Sequence, residues 1–353
     1  MTAITADAAW GQDRVRPVRI WLYALAAFVL LMVLVGGATR LTESGLSITS
    51  WRPISGIIPP LSAADWQAEF EAYQQIPQYQ EEFAGWMGVE EFQLIFWWEW
   101  IHRFLGRMLG FAFAVPFAIF LFQRRIPREL TWPLVGLFVL GGFQGFLGWW
   151  MVSSGLSDLT SVSQYRLAAH LCAALVLFLA LIWVARSLGP DRGPQTSVSR
   201  GWVIANWGLV ALLVIQIGAG ALVAGLNAGL TYNTWPLMDG ALVPGNLFPR
   251  DPFWRNLFEN VLTVQFNHRM IAYLAAAYVV MLFVVGWRRR GFEGVHGWVP
   301  GFAGATLMQV GLGIITLLSV VSIPVALAHQ AMAFILTGMV VAYLSDMKRH
   351  SLW

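Results

Sequence analysis

Residues 93–122 read QLIFWWEWIHRFLGRMLGFAFAVPFAIFLF, an apolar run that is long enough to cross a lipid bilayer as one helix. Near its beginning the run contains three ionisable side chains, Glu99, His102 and Arg103. Ionisable side chains inside a bilayer are costly and usually serve a function. The stretch therefore predicts both a transmembrane helix and a polar site within the membrane.

Seven further apolar runs along the chain have a comparable length. The eight predicted spans are 19–40, 93–122, 131–152, 164–186, 202–225, 260–287, 298–319 and 324–346. The composition agrees, because 58% of the residues are hydrophobic and 12% are charged, about half the charged fraction of soluble domains. These runs predict an all-α polytopic membrane protein. The segment before Ile20 lacks the pattern of a cleaved signal peptide, so we expect the first span to remain as an anchor.

The basic residues indicate the orientation of the spans. With eight spans, 14 of the 22 Lys and Arg residues fall on one side of the membrane: Arg14, Arg16, Arg19, Arg124, Arg125, Arg128, Arg186, Arg192, Arg200, Arg288, Arg289, Arg290, Lys348 and Arg349. The positive-inside rule then places both termini in the cytoplasm. We therefore attribute the net charge of +3 to membrane orientation, and nucleic acid is not an expected partner.

Two long segments, 41–92 and 226–259, lie on the opposite, outer side in this topology. The first is rich in Glu, and both contain Trp and Pro without low-complexity sequence. We expect both to be folded caps over the helix bundle. An amphipathic surface helix is predicted at 62–75, where Phe70 and Tyr73 alternate with acidic residues.

An internal repeat divides the chain into two halves, 1–190 and 191–353. Gly36, Gly45, Leu46 and Trp51 recur 184 residues later, the His102-Arg103 pair recurs after 166, Gln144 after 165 and His170 after 159. Because each half has four spans, both enter the membrane with the same orientation. The repeat predicts two tandem four-helix bundles related by a pseudo-twofold axis along the membrane normal. A parallel repeat makes a transporter less favoured without excluding it.

Four of the six histidines lie in spans that run from outside to inside. They are His102, His170, His268 and His329, each in the early part of its span. His296 and His350 fall in cytoplasmic-side segments. Two imidazoles per half at matched depth suit axial ligation of haem iron, because facing helices of one bundle can hold a flat macrocycle between them. The sequence offers little of the thiolate or carboxylate clustering that zinc prefers. A proton relay stays possible, as does a role as interhelical hydrogen-bond partners.

Arginines accompany the histidines. Arg103 and Arg269 directly follow two of them, Arg166 is four residues before His170, and Arg40 ends the first span on the outer side. Each is a candidate partner for a haem propionate, or else an interface arginine that extends to the membrane surface. Arg107 has no assigned role. The single cysteine, Cys172, is interpreted as a small packing residue.

The two halves differ in their polar residues. Glu99 is three residues before His102, so both project from one face of a helix, whereas the corresponding residue of the second half is Gln265. Arg40 corresponds to Ala224 and Arg166 to Val325. An intramembrane carboxylate suits acid–base chemistry, and we interpret Glu99 as a candidate catalytic residue. The alternative is a structural ion pair between Glu99 and Arg103, one turn along the helix.

The motifs resemble those of the heme A synthase family over nearly the whole chain. The resemblance rests on GGATRLT at 36–42, SGLS at 44–47, WRP at 51–53, EWIHR at 99–103, NTWPLM at 233–238, QFNHR at 265–269 and AHQ at 328–330. The acidic first outer loop and the lack of loop cysteines are similar to the alphaproteobacterial and mitochondrial branch. The short N-terminus lacks a transit-peptide pattern, which favours a bacterial inner membrane.

The resemblance implies oxidation of the C8 methyl group of haem O to a formyl group, which gives haem A for cytochrome oxidase. It implies substrate haem O between His102 and His170 in the first half, and a resident haem b on His268 and His329 in the second. Glu99 then matches the acidic residue near the reacting methyl. Haem O synthase, an electron acceptor, membrane lipid and a second copy of the chain are the expected partners. The main alternative is a di-haem b electron-transfer protein.

Overall fold

A computed structural model of the chain describes residues 11–157, 159–190, 199–288 and 298–348. Within these ranges there is no β-strand, and the α-helices are α1 Gln12–Leu41, α2 Ala63–Tyr73, α3 Val89–Phe122, α4 Arg128–Ser153, α5 Gln164–Ser187, α6 Arg200–Gly225, α7 Asn256–Glu259, α8 Val261–Arg288, α9 Trp298–Leu318 and α10 Ile323–Lys348. All but α2 and α7 are long and apolar enough to cross a membrane, which makes eight candidate spans in the described part of the chain. The prediction of an all-α protein with eight spans is confirmed.

Two helices begin earlier than the apolar runs predict. α1 starts at Gln12 although its span is predicted from 19, and there Val15 and Val18 are buried while Arg14 and Arg16 are exposed. α3 starts at Val89, where Glu91 accepts a hydrogen bond from the backbone N–H of Gly88 at 2.9 Å. Hydropathy marks only the part of a helix that contacts lipid, whereas capping and packing decide where the helix begins.

The eight long helices form two rings of neighbours. In the first half, α1 contacts α3, α3 contacts α4, α4 contacts α5, and α5 contacts α1. In the second half, α6, α8, α9 and α10 repeat this order, and α10 contacts α6. The rings meet where α5 contacts α6 and where α10 contacts α1 and α5. The two tandem four-helix bundles and the pseudo-twofold axis both stay predictions.

One buried apolar cluster includes side chains of both halves. Leu22, Leu175, Phe334 and Tyr343 are each at most 1% exposed. The indole N–H of Trp202 donates to the hydroxyl of Tyr343 at 2.7 Å, so a helix of the second half is fixed by a buried polar bond. Between helices in lipid, close packing and such bonds stabilise association, because lipid tails are as apolar as the side chains.

The segment between α1 and α3 folds over the outer ends of the first half. On α2, Phe70 and Tyr73 are buried, and the ring of Trp66 lies 4.9 Å from that of Phe96 on α3. The predicted surface helix is present, and its apolar face packs on protein. Ser62 caps it, and hydrogen bonds from Ser62 hold the pKa of Asp65 below its usual value.

The segment between α6 and α8 forms the second cap. Met238 and Leu247 pack with Leu262 at the start of α8 in a small buried cluster. The amide of Asn233 donates to the backbone carbonyl of Leu317 at 2.9 Å, which ties this cap to the end of α9. Both long outer segments are therefore folded in the described part of the chain. The cytoplasmic placement of the termini stays a prediction, and Arg192, Arg289, Arg290, Arg349, His296 and His350 lie outside the described residues.

Candidate functional site

The four intramembrane histidines lie on four different helices. His102 is on α3, His170 on α5, His268 on α8 and His329 on α10, and all are partly buried. The helices of His102 and His170 both contact α1 and α4, and the helices of His268 and His329 both contact α6 and α9. Each half therefore brings together one pair of imidazoles.

Each imidazole packs against a glycine of a neighbouring helix. A methyl group added at the glycine would lie close to the histidine Cε1, at 2.9 Å for Gly36 and His102, 3.6 Å for Gly148 and His170, 3.1 Å for Gly220 and His268, and 2.9 Å for Gly313 and His329. The same arrangement thus occurs twice, once in each half. Gly36 and Gly220 belong to the repeat found in the sequence, but the roles of Gly148 and Gly313 were not predicted.

The donor set fits haem. The Nδ1 atoms of His102, His170 and His329 are buried without a hydrogen-bond partner, whereas buried polar groups in proteins are normally paired. Among the described residues no group of three or more His, Cys, Asp or Glu side chains could hold a metal ion. Two partly buried imidazoles per half, each beside a glycine, would be suited to ligate the iron of a haem.

Glu99 is buried, with 3% of its surface exposed. Its carboxylate accepts hydrogen bonds from the hydroxyl of Ser47 and the backbone N–H of Ile48, both at 2.8 Å. Arg103 forms an ion pair with it at 2.6 Å. The structural pairing considered from the sequence is thus present, and Ser47 and Ile48 are partners that sequence reasoning missed.

Gln265 takes the corresponding place in the second half. Its amide donates to the backbone carbonyls of Ala228 at 3.0 Å and Tyr232 at 3.3 Å, and its oxygen accepts from Arg269 at 3.4 Å. Glu99 bonds the first cap to α3, and Gln265 bonds the second cap to α8. Only the first half, however, has a carboxylate there.

Arg103 and Arg269 both hold outer caps. Arg103 donates to the carbonyls of Ile48 at 2.8 Å and Ser50 at 3.1 Å. Arg269 donates to those of Tyr232 at 2.8 Å and Thr234 at 2.9 Å. A further contact of either guanidinium with a haem propionate stays a prediction.

The other three arginines also have partners. Arg40 donates to Asn227 at 2.9 Å, and so links the first half to the second cap. Arg166 donates to the carbonyl of Trp150 at 2.6 Å and lies over its ring. Arg107, which had no predicted role, donates to the carbonyls of Arg52 and Pro53, both at 2.9 Å. All three therefore fix the outer surface around the histidine pairs.

Glutamines line the interior beside the histidines. Gln216 donates to the backbone carbonyl of His268 at 3.1 Å, and the Nε2 atom of Gln309 lies 3.5 Å from Nε2 of His329. Both amide atoms of Gln144, the counterpart of Gln309, are buried without a partner. The sequence marked Gln144 only as part of the repeat. Cys172 packs against α6, 3.5 Å from a methyl group placed at Gly218, as expected for a packing residue.

The fold and the site together define a polytopic helical membrane protein with a pair of intramembrane histidines in each of two similar halves. Residues 19–341 match COX15-CtaA, described as cytochrome oxidase assembly protein. The chain belongs to this family.

Curated relatives cover almost the whole chain. A protein named heme A synthase from Allorhizobium ampelinum is 52% identical over 351 residues, which is 97% of this chain and 95% of the relative. Proteins of the same name from Agrobacterium fabrum and Parvibaculum lavamentivorans are each 52% identical, over 94% and 91% of this chain and 90% and 91% of their own length. The resemblance stated from the sequence motifs is confirmed.

Proposed function

We propose that this protein is a heme A synthase, a membrane oxidoreductase that converts the C8 methyl group of haem O to a formyl group. The observation that carries the proposal is the 52% identity, over 97% of the chain, to a protein of that name. The two histidine pairs support it, because they provide two places for a haem. Haem A formed in this way would serve cytochrome oxidase assembly.

In this proposal the halves have different tasks. The first half binds substrate haem O between His102 and His170, and the second half binds a resident haem b between His268 and His329. The carboxylate of Glu99, near His102 on the same helix face, supports the assignment of the chemistry to the first half. The conversion of a methyl group to a formyl group takes up one oxygen atom from water and releases four electrons and four protons. Bound haem would supply redox chemistry, and the electrons would pass to an electron acceptor.

Within the first half, the residues around Glu99 position its carboxylate. Ser47 and the backbone of Ile48 hold one oxygen, and Arg103 holds the other. We assign to Glu99 the transfer of protons at the reacting carbon. Arg103 and Arg107 fix the first cap to α3.

The protein acts in the bacterial inner membrane with both termini in the cytoplasm. It receives haem O from a haem O synthase, and it can assemble as a homo-oligomer. The basic residues at one end of the spans support this orientation.

The proposed activity is tested by expressing the chain together with a haem O synthase and extracting the haems from the membranes. We expect haem A in these membranes and none in a control that lacks the chain. If the protein binds two haems b and haem A never forms, it is a di-haem electron-transfer protein instead. Purified protein without a haem absorption band would favour a transporter in which the histidines carry protons.

Gly313 provides a test of the histidine packing. A valine there places its Cβ within 2.9 Å of the His329 ring, so Gly313→Val forces the imidazole away from its position. We expect the affinity for the resident haem b to fall by about five- to 150-fold, since overpacking costs about 1–3 kcal/mol. Haem content of the purified variant measures this. Gly304→Val on the same helix is the control, because nothing lies within 4 Å of a methyl group there. Equal haem content in both variants would contradict a haem site that depends on the close packing of His329 against Gly313.

Gln144 is the candidate partner of a polar group on the substrate. It lies one helical turn from Gly148, which meets the His170 ring, and its buried amide lacks a partner. Haem O has a hydroxyl group on its hydroxyethylfarnesyl side chain, whereas haem b has none. We expect Gln144→Leu to weaken haem O binding about tenfold, the value of one lost hydrogen bond. Haem titrations followed by absorbance measure the change. Gln309→Leu in the second half should leave haem O binding unaltered, and an equal effect of both would contradict the assignment.

A further inference from the structure

A cavity of about 600 Å³ lies at the seam between the two halves, away from the histidine pairs. Its walls come from α1, α5 and α10, with Trp298 at the start of α9. The walls are apolar, and they are lined by Phe178, Ile182, Ile335 and Met339. No larger residue fits at Gly338 without a shift of its neighbours, because a methyl group there would lie 2.9 Å from Ile182. The volume falls in the range of about 300–1,000 Å³ that is typical of ligand pockets.

The polar residues of this cavity lie at one end of the helices. Arg19 and Tyr23 lie in the N-terminal half of α1, and Arg186 is in the last turn of α5. This is the side of the membrane on which the basic residues collect. The cavity is therefore amphipathic, with cations at the membrane surface and apolar walls towards the bilayer interior.

The two arginines differ in their partners. Arg186 forms an ion pair with Asp346 of α10 and lies 5.7 Å from the centre of the Trp298 ring, so its charge is compensated and its position fixed. Arg19 forms no ion pair with an acidic residue of the described ranges. Its guanidinium would lie 3.3 Å from a methyl group at Gly189, at the end of α5. Within the described ranges, therefore, no carboxylate pairs with the positive charge of Arg19 at the entrance.

We infer that this cavity binds one anionic phospholipid, with its phosphate at Arg19 and Tyr23 and an acyl chain between α1, α5 and α10. Basic pockets between transmembrane helices on the cytoplasmic side are suited to anionic lipid headgroups. The apolar walls match an acyl chain, which a free phosphate would not fill. Because α10 belongs to the second half and α1 and α5 to the first, the lipid would hold the two halves together.

The experiment uses the full-length protein with its haems, purified and stripped of lipid in mild detergent. Dioleoyl phosphatidylglycerol, dioleoyl phosphatidylcholine and inorganic phosphate are added separately, and Tm and bound lipid per protein are measured. We expect phosphatidylglycerol to raise Tm and to bind at one copy per chain, while phosphatidylcholine binds more weakly and phosphate has no effect. An equal effect of both lipids, or the same effect from phosphate alone, would overturn the inference.

Two variants and one control locate the site. Arg19→Gln should weaken phosphatidylglycerol binding about fivefold, the value of one basic residue near a charged membrane surface. Ala27→Leu, which adds side-chain volume at the cavity wall, should lower binding of the lipid without a change of charge. Arg16→Gln removes an exposed charge from the same helix and should leave binding unaltered. Equal losses for Arg16→Gln and Arg19→Gln would show a diffuse electrostatic effect and would contradict a defined site.

Discussion

His268→Ala is expected to yield purified protein that lacks its resident haem b, whereas His102→Ala keeps that haem and loses haem A formation. In the proposed arrangement each histidine pair would ligate the iron of its own half, and the second half would hold the resident haem. Removal of one of two axial ligands leaves the iron bound from a single side. The haem content of both variants, by type and per protein, measures the difference.

The two variants control for each other, because each removes one imidazole from the same position of the repeat. Size-exclusion chromatography shows whether both remain folded. An equal loss of haem b from both variants would contradict the division of tasks between the halves. A loss of haem b from His102→Ala alone would assign the resident haem to the first half.

Glu99→Gln is expected to retain haem b and to lower the yield of haem A at least a hundredfold. General acid–base catalysis by one side chain contributes about 10²–10⁴ to a rate. The substitution introduces the side chain that the second half already has as Gln265, where it bonds two carbonyls and an arginine. The amide keeps the size of the side chain, but its nitrogen cannot accept a hydrogen bond as both Glu99 oxygens do, so retained haem b serves as the check of the fold. Haem A per protein in membranes that also contain haem O synthase gives the measurement.

Two variants at other positions show whether Glu99 acts in catalysis or only in hydrogen bonding. Glu90→Gln changes an exposed carboxylate in the first turn of the same helix, and it should leave the haem A yield unaltered. Ser47→Ala removes a hydrogen bond to the Glu99 carboxylate and should lower the yield less than Glu99→Gln does. A normal yield from Glu99→Gln would show that Glu99 only pairs with Arg103.

Much of the fold could be predicted from the sequence because the bilayer limits the solutions. A helix that crosses lipid needs about 20 apolar residues, so the eight runs were visible without knowledge of packing. The pairing of His102 with His170 followed from their matched depth in the repeat. The start of α1 at Gln12 was not visible, because its first turns are held by protein contacts of Val15 and Val18.

The partners of the arginines could not be predicted. Arg103, Arg107 and Arg269 bond backbone carbonyls of the outer caps, and a carbonyl has no signature in the sequence. The pairing of Arg103 with Glu99 was open to prediction because the two residues are four apart on one helix. The contacts of Gly148 and Gly313 with histidines were missed for another reason. Gly148 is one of several glycines on α4, and spacing alone does not show which one meets the ring.

The central claim is that the halves are unequal, one holding a haem b and the other a haem that is changed. The most direct test is the haem content of the wild-type protein, purified from cells that also make haem O and analysed by type and stoichiometry. We expect one haem b per chain, together with haem O or haem A in the remaining site. Two haems b per chain, with neither haem O nor haem A, would contradict the account.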